Sequence, residues 1–177
     1  MGQGLKTRGR VPAAAAPGPT TLNDLSALSA GELMQLYRAA KTPAIEDLDG
    51  RLKGRMLAVP LIKGKLVQGF VKHFAVDGPM PWQGKTFRSL GKQRGEGVNR
   101  LFGNRASWYR FETAIGPSRA GDFDALQLDY DLEDNPPFIR PIKDELREVA
   151  PGLWLGLAYM RFGGRNRLGL FFGLART

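Results

Sequence analysis

The sequence predicts a mainly β (α+β) fold, a closed antiparallel β-barrel with an N-terminal helix and another helix between late strands. Three observations lead to this prediction. The 177 residues, 42% of them hydrophobic, suit one domain with a sizeable core. Apolar and polar residues alternate in a series of short segments, as they do in strands. Glycine-rich turns join these segments, and closely spaced short strands are typical of a meander that closes on itself.

Residues 1–21 are predicted to be a disordered basic tail, followed by a single domain over 22–177. Three basic residues precede four alanines that are flanked by prolines, and these alanines are too few for the centre of a secretion signal. The longest apolar run is also far shorter than the roughly 20 residues that span a bilayer. We therefore expect no membrane insertion.

The helix of the N-terminal part begins at Ser29. Ser29 and Glu32 have the spacing of a capping box, in which each side chain satisfies a backbone N–H of the first turn. Apolar residues then recur at helical spacing: Leu33, Leu36, Tyr37 and Ala40. Pro43 ends the segment. We expect this helix to pack on the domain as a lid or plug.

Strands follow from Gly50 onward. The first begins at Arg51, whereas residues 61–76 stay ambiguous, because their apolar spacing favours a short helix and Gly64 and Gly69 weaken it. Six later segments alternate as strands do: 83–89, 96–102, 107–115, 123–132, 153–162 and 167–175.

The inward faces of two strands follow from this alternation. The inward set is Leu126, Leu128, Tyr130 and Leu132 in one strand, and Leu168, Leu170, Phe172 and Leu174 in the last. Asp129 and Asp131 then face water, which disfavours a metal or acid-base site there. In 107–115, Arg110 and Glu112 share a face with Trp108; an exterior ion pair is favoured over a buried one.

The second helix is predicted after Asn135-Pro-Pro, because proline suits the first turn of a helix. Its buried stripe would be Ile139, Ile142, Leu146 and Val149. Its charged residues would form a solvated surface: Asp144, Glu145, Arg147 and Glu148.

Three short motifs together resemble a known family: Gly50-Arg-Leu-Lys-Gly54, Trp82-Gln-Gly-Lys-Thr-Phe87, and Asp144-Glu-Leu-Arg with Leu155-Gly156. The family is a group of small lipocalin-like proteins that is named for its Gly-x-Trp-x-Gly motif. The first motif has that spacing, with Leu52 at the tryptophan position; the second resembles the family's Trp-x-Gly-Lys-x-Phe strand, and the third resembles its closing helix and strand. The resemblance implies a calycin-type barrel whose interior can hold a small apolar molecule, and it implies no reaction.

Charge is distributed unevenly along the chain. The net charge is +9, and residues 51–105 hold twelve Lys or Arg against Asp77 and Glu96. Residues 106–150 hold ten acids against five bases. Such asymmetry can attract an acidic ligand or nucleic acid, and it can equally be an ordinary solvated exterior.

Few residues offer catalytic or metal chemistry. Cysteine is absent, which excludes disulfides, thiolate metal sites and cysteine nucleophiles and suits a cytoplasmic protein. The only histidine, His73, cannot form a two-histidine metal site, and we interpret it as a packed or surface residue. We predict no metal and no cofactor.

The favoured function is binding of a small apolar or amphipathic molecule inside the barrel, with basic residues at the mouth meeting an acidic group. The predicted walls are Trp82, Phe87, Tyr109, Phe111, Tyr130 and Tyr159, and the predicted polar contacts are Lys85, Arg100, Arg110, Glu112 and Arg140. An interior filled by side chains would leave no ligand site.

Two other functions stay open. A cofactor-independent isomerase or cyclase would need a buried ionisable group in the same cavity, such as Glu112 or Asp129. Single-stranded nucleic acid is a less favoured partner: it would bind the basic 51–105 face, with Trp82, Phe87, Phe102 and Trp108 stacking on bases.

Overall fold

A closed barrel of eight antiparallel strands is the centre of the structure, a computed structural model that describes residues 18–59, 81–102 and 106–176. Each strand pairs with the next along the chain, and the last pairs with the first. The strands are β1 (Gly50–Ala58), β2 (Trp82–Ser89), β3 (Arg94–Leu101), β4 (Ala106–Pro117), β5 (Asp124–Asp129), β6 (Ile142–Ala150), β7 (Leu153–Phe162) and β8 (Arg165–Arg176). The predicted closed antiparallel barrel is confirmed. Residues 61–76 with His73, and residues 1–17 of the predicted tail, lie outside the described residues.

Two short helices precede the barrel, α1 (Leu22–Ser26) and α2 (Ala30–Ala39). The predicted capping box of α2 is present, because Glu32 N donates to Ser29 Oγ (3.3 Å) and Ser29 N donates to Glu32 Oε2 (2.8 Å). The prediction of a lid or plug is wrong. The apolar stripe of α2 packs on the outer face of β6 and β7, where Leu33 and Tyr37 join an outer core with Leu155 and Leu157.

A 3-10 helix (Ile45–Leu48) closes one end of the barrel, since Ile45 and Leu48 belong to the interior core. Arg176, at the end of β8, donates hydrogen bonds to the carbonyl oxygens of Asp47 and Asp49. These bonds fasten the 3-10 helix to the last strand. We call this end of the barrel the floor.

The helix predicted after Asn135-Pro-Pro is wrong, because Ile142–Ala150 is strand β6. Turns over 136–141 lead into it. Ile142, Asp144 and Leu146 alternate with outward-facing residues, and the apolar spacing that fits a helical stripe also fits this strand together with Ile139 in the preceding turn.

Three charged residues of β6 are buried, which contradicts their predicted solvated surface. Glu145 is fully buried and binds Arg119 and Ser118, whereas Arg147 packs 4.1 Å over the ring of Phe123. Asp144 lies inside the barrel. A helix would have placed these side chains in water, but a central strand has neighbours on both faces.

Six of the eight side chains predicted to point inward do so. Leu126, Leu128 and Tyr130 are buried in the interior core, and so are Leu170, Phe172 and Leu174 of β8. The prediction is wrong for Leu168, which packs against the outer core because the pairing of β7 and β8 shifts register between Ala158 and Tyr159. Leu132 follows the end of β5 and is only partly buried. The tryptophan face of β4 is exterior as favoured, since Trp108, Arg110 and Glu112 are exposed.

Aromatic rings inside the barrel pack directly against glycines, and such packing can fill a barrel so that no cavity is left. A Cβ added to Gly156 would lie 2.2 Å from the ring of Phe172, and one added to Gly54 would lie 2.4 Å from the ring of Trp82. Pairing a small residue with a large one lets side chains fill a narrow barrel. In the described part of the chain, no helix has the length and apolar content needed to cross a membrane.

Candidate functional site

The interior is not completely filled. A cavity of about 60 Å³ lies in the half of the barrel away from the floor. A cavity needs about 10–15 Å³ to hold one water, so this one has room for several waters or a small organic molecule. Six apolar side chains line it: Met56, Ile139, Ile142, Ala158, Leu170 and Phe172. Six further lining side chains carry a nitrogen or oxygen atom: Trp82, Lys85, Asn99, Tyr109, Tyr130 and Asp144.

A β-bulge positions Tyr109 in this wall. Val98 pairs with Arg110 and Asn99 pairs with Trp108, so Tyr109 is the extra residue of β4. Its backbone is in the left-handed region (φ 59°), which non-glycine residues rarely adopt. The Asn99 amide donates to the Tyr109 carbonyl (3.1 Å) and holds this conformation. Bulges of this kind re-aim side chains next to binding sites.

A buried polar cluster of Lys85, Asn99, Tyr130 and Asp144 lies at one side of the cavity. The Lys85 ammonium donates to Asn99 Oδ1 (2.8 Å), to Asp144 Oδ2 (3.1 Å) and to the Tyr130 hydroxyl. Tyr130 in turn donates to Asp144 Oδ2 (3.0 Å). Each member is less than one-tenth exposed, so water does not screen these charges.

Aromatic rings surround the Lys85 ammonium. Its nitrogen is 5.2 Å from the ring centres of Phe111, Tyr130 and Phe172 and 5.5 Å from that of Trp82. The negative faces of such rings attract a cation, most strongly where water is excluded. The rings and Asp144 together compensate part of the cost of burying this charge.

Burial shifts two pKa values of the cluster. It lowers the pKa of Lys85 by disfavouring the ammonium, although Asp144 acts in the opposite direction. Burial also raises the pKa of Tyr130 well above its ordinary value, and the neighbouring Asp144 carboxylate adds to this rise. Tyr130 is therefore a neutral hydrogen-bond donor at neutral pH.

Asp144 keeps one oxygen without a partner. Its Oδ2 atom accepts from Lys85 and Tyr130, whereas no donor in the described part of the chain bonds Oδ1. Buried polar atoms are nearly always hydrogen-bonded in folded proteins. An unpaired buried oxygen on a cavity-lining residue therefore points to a missing donor.

The structure brings four of the predicted ligand-binding residues into the cavity wall: Trp82, Lys85, Tyr109 and Tyr130. Phe87 and Phe111 are buried in the interior core beside it, with ring centres 5.2 Å apart. Tyr159 lies outside the barrel, in the outer core near Arg119, where burial raises its pKa.

The other predicted polar contacts are not in the cavity wall. Arg100 is buried and donates to the Leu52 carbonyl, and burial lowers its pKa. Arg110 is exposed and Arg140 is half-buried, and both pair with acids, Arg140 with Asp131 at 2.7 Å.

Glu112 and Asp129, the acids predicted for an isomerase, face each other on the exterior of β4 and β5. The Asp129 carboxylate pairs with Lys143. Neither residue can reach a molecule held in the barrel.

Two polar residues of the site, Asn99 and Asp144, were not predicted to line a cavity. Asp144 was assigned to the surface because β6 was predicted to be a helix. Period-two alternation from Ile142 to Leu146 was the signal that could have placed it inside. Asn99 was missed because nothing in the sequence marks it: the bulge opposite it is visible only in the strand pairing.

Metal binding finds no support at this site. Among residues 18–59, 81–102 and 106–176, no three His, Asp or Glu side chains come together as a metal centre requires. Asp144 is the only carboxylate that lines the cavity in this part of the chain.

A solved structure of a protein from Thermomonospora curvata is similar to this chain. The TM-score is 0.54 with 16% sequence identity, over 85% of this chain and 88% of that one. At this identity the likeness concerns the fold alone. No protein-family model and no curated protein matches the chain.

Proposed function

We propose that this protein binds a small, largely apolar molecule in the barrel cavity. The observation that carries the proposal is an interior cavity whose walls are mostly apolar side chains and rings, with one compact polar cluster at its side. Ligand sites commonly combine apolar walls with a few fixed polar groups. We also propose a lipocalin-like type of barrel and a cytoplasmic location; the absence of cysteine supports the latter.

Native mass spectrometry of the purified full-length protein, followed by organic extraction, tests the proposal. We expect a reproducible apolar compound that accompanies the protein. Ala158→Leu adds bulk to the cavity wall and should lower the bound fraction, whereas Ala39→Leu adds the same bulk to the exposed side of α2 and should leave it unchanged. Equal occupancy of both variants would contradict binding in the cavity.

A second candidate is a cofactor-independent isomerase or cyclase. Asp144 favours it, because a buried carboxylate beside a cavity can exchange a proton with a bound molecule. Glu112 and Asp129 are no longer candidates for this role. Incubating the extracted compound with protein in D₂O tests it: deuterium uptake that Asp144→Asn abolishes supports the enzyme, and no uptake with the native chain contradicts it.

Several of the residues proposed to bind nucleic acid lie inside the barrel rather than on its surface. Trp82 and Phe87 belong to the barrel interior and Lys85 is buried, so these three side chains cannot contact a strand on the outside. If the apo protein retained an oligonucleotide in a salt-dependent manner, nucleic-acid binding would replace ligand binding as the favoured function.

A further inference from the structure

The hydrogen bonds of the polar cluster leave a single acceptor open. Lys85 uses its three N–H groups on the other three members of the cluster. The Asn99 amide donates to the Tyr109 carbonyl and to the Tyr130 hydroxyl (3.3 Å), and its Oδ1 accepts from Trp82 Nε1 (3.0 Å) as well. Within the described residues, Asp144 Oδ1 alone among the acceptors of the cluster lacks a donor.

This open acceptor indicates the chemistry of the ligand. We infer that the cavity takes a neutral molecule with an apolar body and one hydrogen-bond donor, such as a hydroxyl group. This group donates a hydrogen bond to Asp144 Oδ1. The inference rests on the proposed binding function and narrows it. A donor at this position removes the cost of an unpaired buried oxygen, and an apolar body matches the apolar side chains that line the cavity, among them Met56, Leu170 and Phe172.

Charge excludes the two other ligand classes. Lys85 and Asp144 cancel within the cluster, so neither an ammonium nor a carboxylate gains a net opposite charge in return for leaving water. A carboxylate also needs donors, and those of the cluster are already in use. Arg110 and Arg140, which were predicted to meet an acidic group of the ligand, lie outside the cavity wall and pair with acidic side chains there.

A matched series of benzyl compounds tests the inference by isothermal titration calorimetry at pH 7. Benzyl alcohol, ethylbenzene, benzylammonium and benzoate have similar shapes and differ in donor and charge. We expect benzyl alcohol to bind at least about tenfold more tightly than ethylbenzene, because it alone pairs Asp144 Oδ1 without carrying a charge. Benzylammonium and benzoate should bind more weakly than both.

The double variant Lys85→Met/Asp144→Leu shows whether the carboxylate causes this preference. Replacing both members of a buried ion pair by apolar residues of similar size is commonly tolerated, and it leaves no unpaired charge. In this variant the affinity ratio of benzyl alcohol to ethylbenzene should fall to about one, while ethylbenzene still binds.

Each outcome separates the inference from the proposed function. Equal binding of alcohol and hydrocarbon to the native chain, tighter binding of either ion, or a preference that persists in the double variant would overturn the inference and leave ligand binding intact. Failure of all four compounds to bind would contradict the proposed function itself.

Discussion

Replacing Lys85 alone should destabilise the protein far more than replacing Lys85 and Asp144 together. Lys85→Met keeps most of the length of the side chain and its apolar packing but removes the charge. The Asp144 carboxylate then stays buried without its cation, and Asn99 and Tyr130 each lose a donor. The defect is therefore electrostatic rather than a loss of volume.

The size of this effect follows from the burial of the pair. Side-chain exposure is 4% for Lys85 and 5% for Asp144, which places them with buried ion pairs. Breaking such a pair costs about 3–5 kcal/mol, whereas replacing both members by apolar residues is commonly neutral or stabilising. For a chain of this size, about 1 kcal/mol corresponds to about 2–4 °C in Tm. Lys85→Met should thus lower Tm by roughly 6–20 °C.

Urea and thermal unfolding, followed by circular dichroism, measure the effect. Lys53→Met is the matched control, since Lys53 is an exposed residue of β1 and its replacement should change the free energy of unfolding by less than about 0.5 kcal/mol. Lys85→Met/Asp144→Leu should be more stable than Lys85→Met. Two results would refute the reasoning about a buried compensated charge. One is equal stability of Lys85→Met and Lys53→Met, and the other is a double variant that is less stable than Lys85→Met.

Two further predictions concern the packed interior and its tyrosines. Gly156→Ala puts a methyl group 2.2 Å from the Phe172 ring and should lower the free energy of unfolding, measured in urea, by about 1–3 kcal/mol. Gly31→Ala is the control, because its Cβ would have a single contact at 4.0 Å, and it should raise the free energy of unfolding by about 0.4–1 kcal/mol. Similar values for both variants would contradict the packing argument. Burial raises the pKa of Tyr37 and Tyr130, so above about pH 10 the unfolded chain releases protons that the folded chain keeps, and the free energy of unfolding falls as the pH rises. Tyr130→Phe should make this fall shallower in unfolding curves between about pH 8 and 11, and an unchanged slope would show that Tyr130 is not shifted.

Local patterns were sufficient for much of the barrel. Alternation in 123–132 and 167–175 predicted most of the side chains of β5 and β8 that face the interior, because a strand turns successive residues to opposite faces. Leu168 is the exception in β8, since a shift of register there turns it to the outer core. The capping box of Ser29 and Glu32 located the start of α2, because that interaction lies within a single turn. Such signals depend only on neighbours in the chain.

The error in β6 has a different origin. Ile139, Ile142, Leu146 and Val149 satisfy a helical spacing, and the charged residues between them resemble a solvated face. The strand forms because β5 and β7 pair with it on both sides, and because α2 and the segment around Arg119 cover its charged outer residues. Tertiary pairing of this kind overrides a local pattern, and it buries three charged residues that a helix would have exposed.

The sequence by itself determined the class of fold, most of the inward-facing residues of two strands and four residues of the cavity wall, since these follow from alternation and from bulky residues in strands. Only the tertiary structure decided the chemistry of the site. Lys85 and Asp144 are 59 positions apart in the chain, and closure of the barrel brings their charged atoms within 3.1 Å of each other. Their partnership depends on strand register and on the Tyr109 bulge, which arise from pairing between distant segments and leave no mark in any one of them.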